Sequence, residues 1–315
     1  MRLELEKKTH NRKQSVVKKF IEKHLSLKSN IDIRLDDIDF TETFESLPGL
    51  SGSRKLFLGR FNEDELLEMM TKTGLTDHLN NLGFDKLLID LDKDQNQIYY
   101  FRLYWREIKA EMLLIDLRLS ETTFIPDKKF LPNAEEPHIY EMIVIEWLSA
   151  KNPMKQFDIT RPQLPGQTSP GLGVMRFCFD LLYLMAKQVY KDGFLDIPDH
   201  MHGAMIYSKK FKFFDPVHEG ILRAVMRDLS AYTLSDISWG VITSTIIERY
   251  KNEPAKYEPG EQIFYVSKRM KKYFNSKRYQ STFKKYYNRK RYYFDYEEMK
   301  KRREEILKTR RIEDL

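Results

Sequence analysis

Apolar positions recur along this chain with two different periods, and the changes of period divide it into segments. Lys13 to His24 carries Val16, Val17, Phe20 and Ile21 at helical spacing between lysines, which predicts a helix. Asn62 stands as an N-cap before a second helical run, Glu63 to Lys72, with an acidic first turn and Gly74 beyond its end. A shorter helix is expected from Thr76 to Leu82, stopped by Gly83. Leu47 to Ser53, between the first two helices, has the composition of a loop. From Lys86 the period becomes two. Lys86 to Leu91 reads as a strand, and Asp92 to Asn96 as a turn. Gln97 to Arg106 sets Phe101, Leu103 and Trp105 against Arg102, Tyr104 and Arg106. Glu111 to Ser120 sets Leu113, Ile115, Leu117 and Leu119 against Leu114, Asp116 and Arg118. Together these predict an antiparallel meander. Ile139 to Leu148 is almost continuously apolar, the pattern of a central strand covered on both faces.

The second half alternates differently. A glycine- and proline-rich loop, Arg161 to Gly173, leads into a long apolar helix, Val174 to Tyr190. A short strand at Phe194–Ile197, a helix from about His200 to Lys210 and a short apolar segment at Phe211–Phe214 come next. Helices near Glu219–Leu229 and Asp236–Tyr250 follow. The expected fold class is α/β: a mixed, mainly antiparallel sheet flanked by helices. Three regions are expected: a helical N-terminal region over 1–85, a core over 86–264 and a C-terminal extension over 265–315.

Composition narrows the classes of function. With 41% hydrophobic and 32% charged residues in 315, the chain has material for a core. A single cysteine excludes a disulfide scaffold and any multi-thiolate metal site, and points to a reducing, cytoplasmic setting. No run of 18 apolar residues occurs, so no transmembrane segment is expected. Met1 to Lys8 is charged with no apolar run behind it, unlike a signal peptide. The net charge of +7 is unevenly placed. Tyr265 to Leu315 holds 18 Lys or Arg against 7 Asp or Glu, net +11, which leaves the first 264 residues at −4.

Gly171 and Gly173, just before a long helix, would let backbone N–H groups turn toward an anion at the helix N-terminus. That is the physics of a pyrophosphate cradle. No Gly-Lys-Ser/Thr follows, so this is not a Walker loop, and Arg176 stands where a dinucleotide fingerprint needs its third glycine. The competing reading is a loop whose glycines and prolines only shape the start of the helix.

The order of meander, central strand, glycine loop, long helix, short strand and further helix resembles the GNAT superfamily of acyl-CoA-dependent acyltransferases. Gly171-Leu-Gly173 matches its Gly-x-Gly loop, and His202-Gly-Ala-Met-Ile-Tyr-Ser-Lys-Lys-Phe211 resembles its later helix. The likeness covers roughly residues 86 to 215. It departs in spacing: Gln167 lies four residues before Gly171, and Thr168 fills the position three before. The resemblance implies acetyl-CoA or another acyl-CoA as donor and an amine as acceptor. It implies a cradle of Gln167, Thr168, Gly171, Leu172, Gly173 and Val174, with Tyr207 as the acid for the leaving thiolate. A base would come from a strand facing the acceptor. Glu146, in an apolar strand where desolvation would raise its pKa, is one candidate. Asp116 and Arg118 are rivals that could equally form an internal ion pair.

Cys178 lies on an apolar helix face and reads as a core thiol. His200 and His202 sit at a helix start, where positions two apart diverge, so a metal site is not expected and His202 is placed beside the cleft. The last constellation is Ser267 to Tyr293, with eleven Lys or Arg, no acid, and eight interleaved aromatics. Residues 268–293 could bind nucleic acid through phosphates and stacked bases, lie on an anionic membrane surface, or pack onto the domain with solvated charges. An alternative to the enzyme is therefore a non-enzymatic nucleic-acid-associated or interaction protein.

Overall fold

The computed structural model describes residues 55–131, 138–158 and 162–315. The helix expected at Lys13–His24 and the loop at Leu47–Ser53 lie outside the described residues. Helix α1, Glu63–Lys72, begins where the sequence places it. Asn62 Oδ1 accepts the Glu65 N–H at 3.0 Å, and Glu65 Oε2 accepts the Asn62 N–H at 2.9 Å, satisfying two otherwise orphan donors. Helix α2, Leu75–Asn81, follows Gly74, whose φ of +78° suits a residue without Cβ. Both helices bury apolar residues in the cluster that holds Phe101, Leu103 and Leu117.

The meander forms as β1 (Leu87–Lys93), β2 (Tyr99–Trp105), β3 (Leu113–Phe124) and β4 (Tyr140–Ala150), antiparallel throughout. The first turn starts two residues later than expected, because Asp94 Oδ1 gathers the N–H groups of Asn96 and Ile98, each at 2.9 Å. Next come α3 (Met175–Gln188), β5 (Gly193–Asp196), α4 (Met201–Tyr207) and β6 (Lys212–Phe213). The chain continues through α5 (Pro216–Asp228), α6 (Leu234–Ile242), β7 (Ile246–Glu248), β8 (Glu253–Pro254) and β9 (Gln262–Tyr265). It ends in α7 (Lys268–Phe274), α8 (Lys277–Arg289), β10 (Tyr292–Phe294) and α9 (Tyr296–Thr309). The main sheet has seven strands in the order β1-β2-β3-β4-β5-β9-β6, and β4–β5 is its one parallel pair. The fold is thus α/β, a mixed and mainly antiparallel sheet with flanking helices. No helix among the described residues is long and apolar enough to cross a membrane.

Two expectations need correction. The helix expected over Asp236–Tyr250 stops at Ile242: Ser244 turns left-handed at φ +57°, and Ile246–Glu248 becomes β7, paired with β8 and β10. Strand β4 is central, yet it is covered on both faces only around Met142 and Ile143, since Glu141, Glu146 and Trp147 are exposed. Of the three readings left open for the basic tail, packing onto the domain describes its aromatics, which are largely core. Tyr273, Phe274 and Tyr279 are buried with Tyr140, Met142 and Phe214, and the Tyr273 and Tyr279 hydroxyls donate to the Phe214 and Phe213 carbonyls at 2.8 and 2.7 Å. Strand β9 spans the expected 264/265 boundary and sits between β5 and β6. Arg54–Leu315 forms one compact unit.

Candidate functional site

Helix α3 starts without a side-chain cap. Val174 is its N-cap residue, the first helical bond runs from the Cys178 N–H to the Val174 carbonyl, and no acid lies in the first turn. The preceding amides therefore point out of the helix start with its partial positive charge behind them. Gly173 before them is exposed, with φ +73°, and an added Cβ there would find no atom within 4 Å. Arg176, exposed in the same first turn and stacked over Phe177 at 4.7 Å, adds a full positive charge. The start of α3 thus presents backbone amides, the positive end of the helix dipole and a guanidinium.

The other expected cradle residues divide. Gln167 does not face outward as a ligand, because its Oε1 accepts the Leu164 N–H at 3.0 Å and its Nε2 donates to the Ser169 carbonyl at 2.9 Å. Its side chain holds the loop in shape. That loop is in turn tied to the C-terminal segment, where the Gly166 N–H donates to the Ile312 carbonyl and Gln163 Nε2 to Glu313 Oε1. Thr168 is exposed. Leu172 and Val174 are buried in the main core and serve the site through their backbone alone. Gly171 bridges Lys151, which anchors the loop to the end of β4.

Beside the start of α3 the sheet forks. Strands β4 and β5 pair at Met142–Gly193, Ile143–Phe194 and Val144–Leu195 and no further. Beyond that point β4 runs on to Ala150, whereas β5 ends at Asp196, paired on its other side with Gln262. Trp147, 52% exposed on β4, and Ile197, 39% exposed just past β5, offer apolar surface beyond the fork. Glu146 is the extra residue of a bulge: Leu119 faces Ile145 and Arg118 faces Trp147. It is exposed rather than desolvated, which corrects the expectation drawn from its apolar neighbours, and its Oε1 accepts the Ser120 hydroxyl at 2.6 Å.

Tyr207, the last residue of α4, packs against Phe179 of α3 at 5.5 Å and Phe211 at 5.0 Å between ring centroids. Burial raises its phenol well above the ordinary tyrosine value, and Asp196 at the end of β5 and Cys178 in α3 push the same way. The phenol therefore stays protonated through the neutral range. The rival groups pair with each other. Asp116 is buried and gripped by Arg118 Nη2 at 2.6 Å, with Arg102 Nε at 3.9 Å. Cys178 is buried, and desolvation pushes its thiol up to about 12, far from a nucleophile.

His200 and His202 stack at 5.2 Å with an 11° tilt. Burial, helped by the neighbouring ring, lowers His202 to about 4. Both line a cavity of about 390 Å³ with Ser238 and Tyr257. Among the described residues, no group of three His, Cys, Asp or Glu side chains is placed to hold a metal ion. The sequence marks Arg176 only weakly. Its signal was a lone basic residue in the first turn after two glycines. Compared with known protein families, curated proteins and solved structures, the chain matches none.

Proposed function

We propose that this protein binds an acyl-CoA and transfers its acyl group to an amine. The observation that carries the reading is the fork between β4 and β5, with the protonated Tyr207 and the uncapped start of α3 beside it. The element order that resembles the GNAT superfamily supports the same assignment. In this scheme the outward amides after Gly173 and the Arg176 guanidinium receive the pyrophosphate, and the thioester lies in the fork. A neutral amine forms the new C–N bond at the thioester carbon while the C–S bond breaks. Tyr207 gives its proton to the leaving thiolate, and the amine's proton passes to solvent, for which the exposed Glu146 is the carboxylate at hand. The acceptor amine has no recognition group assigned to it.

Ligand-induced stabilisation tests this reading directly. Binding to the folded state alone raises stability by about 2.7 kcal/mol at a ligand concentration of 100 times Kd. Acetyl-CoA and CoA should therefore both raise Tm in a saturable way, and adenosine alone should do so far less. Unchanged melting with either thioester or free CoA at millimolar concentration would overturn the assignment.

A further inference from the structure

Helix α8, Lys277–Arg289, divides its residues cleanly by face. Tyr279, Phe283, Tyr286 and Tyr287 turn inward, three of them half-buried and Tyr279 fully buried. At 3.6 residues per turn, Lys277, Arg278, Ser281, Lys284, Lys285, Asn288 and Arg289 fall within an arc of about 140°. All seven are exposed. The helix contains no acid at all. The inner face is pressed onto α5, where a Cβ added to Gly220 would lie 2.8 Å from the Tyr286 Cβ and 2.9 Å from the Phe283 carbonyl oxygen. Rotation of the helix to present its aromatics outward is thus blocked.

Helix α7 extends the positive surface with exposed Lys268, Lys271 and Lys272. Arg269 on the same helix is neutralised by buried Asp192, and Arg278 donates to the Lys129 carbonyl at 2.7 Å. Asp127, on the connection between β3 and β4, has one carboxylate oxygen on the Lys129 N–H. Among the described residues, Lys268, Lys271, Lys272, Lys277, Lys284, Lys285 and Arg289 make no ion pair, although the chain has 47 acids to offer.

We infer that the exposed face of α7 and α8 binds the phosphate backbone of double-stranded nucleic acid without reading its sequence. A row of cations about 20 Å long, with i,i+4 neighbours about 6 Å apart, suits a duplex that carries one charge per roughly 1.7 Å of axis. Base stacking is disfavoured on this face because the aromatics are buried or half-buried against α5. A membrane surface is disfavoured for the same reason: no apolar side chain stands among the cations to enter a bilayer.

Fluorescence anisotropy with the full chain and a labelled duplex of about 20 base pairs tests the inference. Affinity should fall on the order of 10²–10³-fold between 50 and 200 mM salt if about five phosphates are neutralised. The triple variant Lys277→Gln, Lys284→Gln, Lys285→Gln should lower the salt slope by about 2.7, with an unchanged melting temperature as control. Absence of binding at 50 mM salt, or wild-type slope in the variant, overturns the proposal. So does preference for single strands with a salt-resistant remainder, which would mean stacking. Binding to phosphatidylserine vesicles with none to duplex would assign the face to a membrane instead.

Discussion

Arg269 on α7 closes a bidentate pair with Asp192, which sits before β5 and is 4% exposed. Asp192 also accepts the Glu141 N–H at 2.8 Å, while its carbonyl accepts the N–H groups of Val266 and Ser267. Asp192 thus holds together the start of β4, the start of β5 and the segment after β9, through its carboxylate and its carbonyl. Burial works against its charge, but the hydrogen bonds from Arg269, Ser267 and Glu141 outweigh it and hold the carboxyl below the ordinary aspartate range. A depressed folded-state pKa gives stability that is complete above the unfolded value near 4 and is lost as pH falls through the folded value. Asp192→Asn should therefore lower unfolding free energy at pH 7 by about 2 kcal/mol, the scale of hydrogen bonds to a charged group. Urea titrations at pH 7 and at a pH below the folded value check it: the wild type should lose its advantage over the variant in acid. An advantage that survives at low pH would mean that the carboxylate is not what stabilises.

The contact between α5 and α8 yields a second expectation. Gly220→Ala improves helix propensity by about 0.8–1 kcal/mol. The new Cβ, however, meets the Phe283 carbonyl oxygen at 2.9 Å and the Tyr287 nitrogen at 3.1 Å, both backbone atoms that cannot rotate away. Overpacking of this kind costs about 1–3 kcal/mol. The close approach should win, so Tm should fall. A rise in Tm would show that the helices part without cost.

How far the sequence alone leads depends on the range of the signal. Asn62 and Glu65 are three residues apart, and the alternation of Phe101, Leu103 and Trp105 is local, so α1 and the meander were legible. Strand β9 was not. Its partners Gly193 to Asp196 lie some 70 residues upstream, and four residues after a polar loop carry no period. In the tail, charge masked a readable pattern: Tyr279, Phe283, Tyr286 and Tyr287 already have helical spacing. At the candidate site, Gly173 is read from its place before a long helix and Tyr207 from the resemblance. The role of Gln167 within its own loop and the bulge that exposes Glu146 depend on hydrogen bonds and register that composition does not encode.

Gly173 permits a test that separates strain from occupancy. Its φ of +73° penalises Ala by roughly 1–2 kcal/mol but Asn less, because Asn tolerates the left-handed region. Neither side chain meets a neighbour at its Cβ. If that open space receives pyrophosphate, both variants should lose CoA affinity at least tenfold, about 1.4 kcal/mol, while Asn keeps a near-native Tm. Calorimetric titration with CoA decides it. Full affinity in Gly173→Asn would place the phosphate elsewhere.

Tyr207→Phe removes one oxygen from a site otherwise built of Phe179 and Phe211, so the ring packing survives and the fold should hold. If the phenol protonates the departing thiolate, kcat with acetyl-CoA and a reactive amine should fall roughly 10²–10⁴-fold, the usual contribution of a positioned acid. CoA affinity should stay within a few-fold, since the phenol is needed in the transition state and not for holding the ground state. The pH profile adds an independent readout. Burial and the Asp196 carboxylate raise the phenol, so loss of its proton cannot set a falling limb below the ordinary tyrosine value near 10. A rising limb at lower pH would then belong to deprotonation of the amine, and should persist in Tyr207→Phe with the same midpoint. Should the variant turn over at the wild-type rate, Tyr207 is a packing residue and the acid must be sought elsewhere in the fork. If instead kcat and CoA affinity fall together with Tm, the hydroxyl supports the fold and the assignment fails for a different reason.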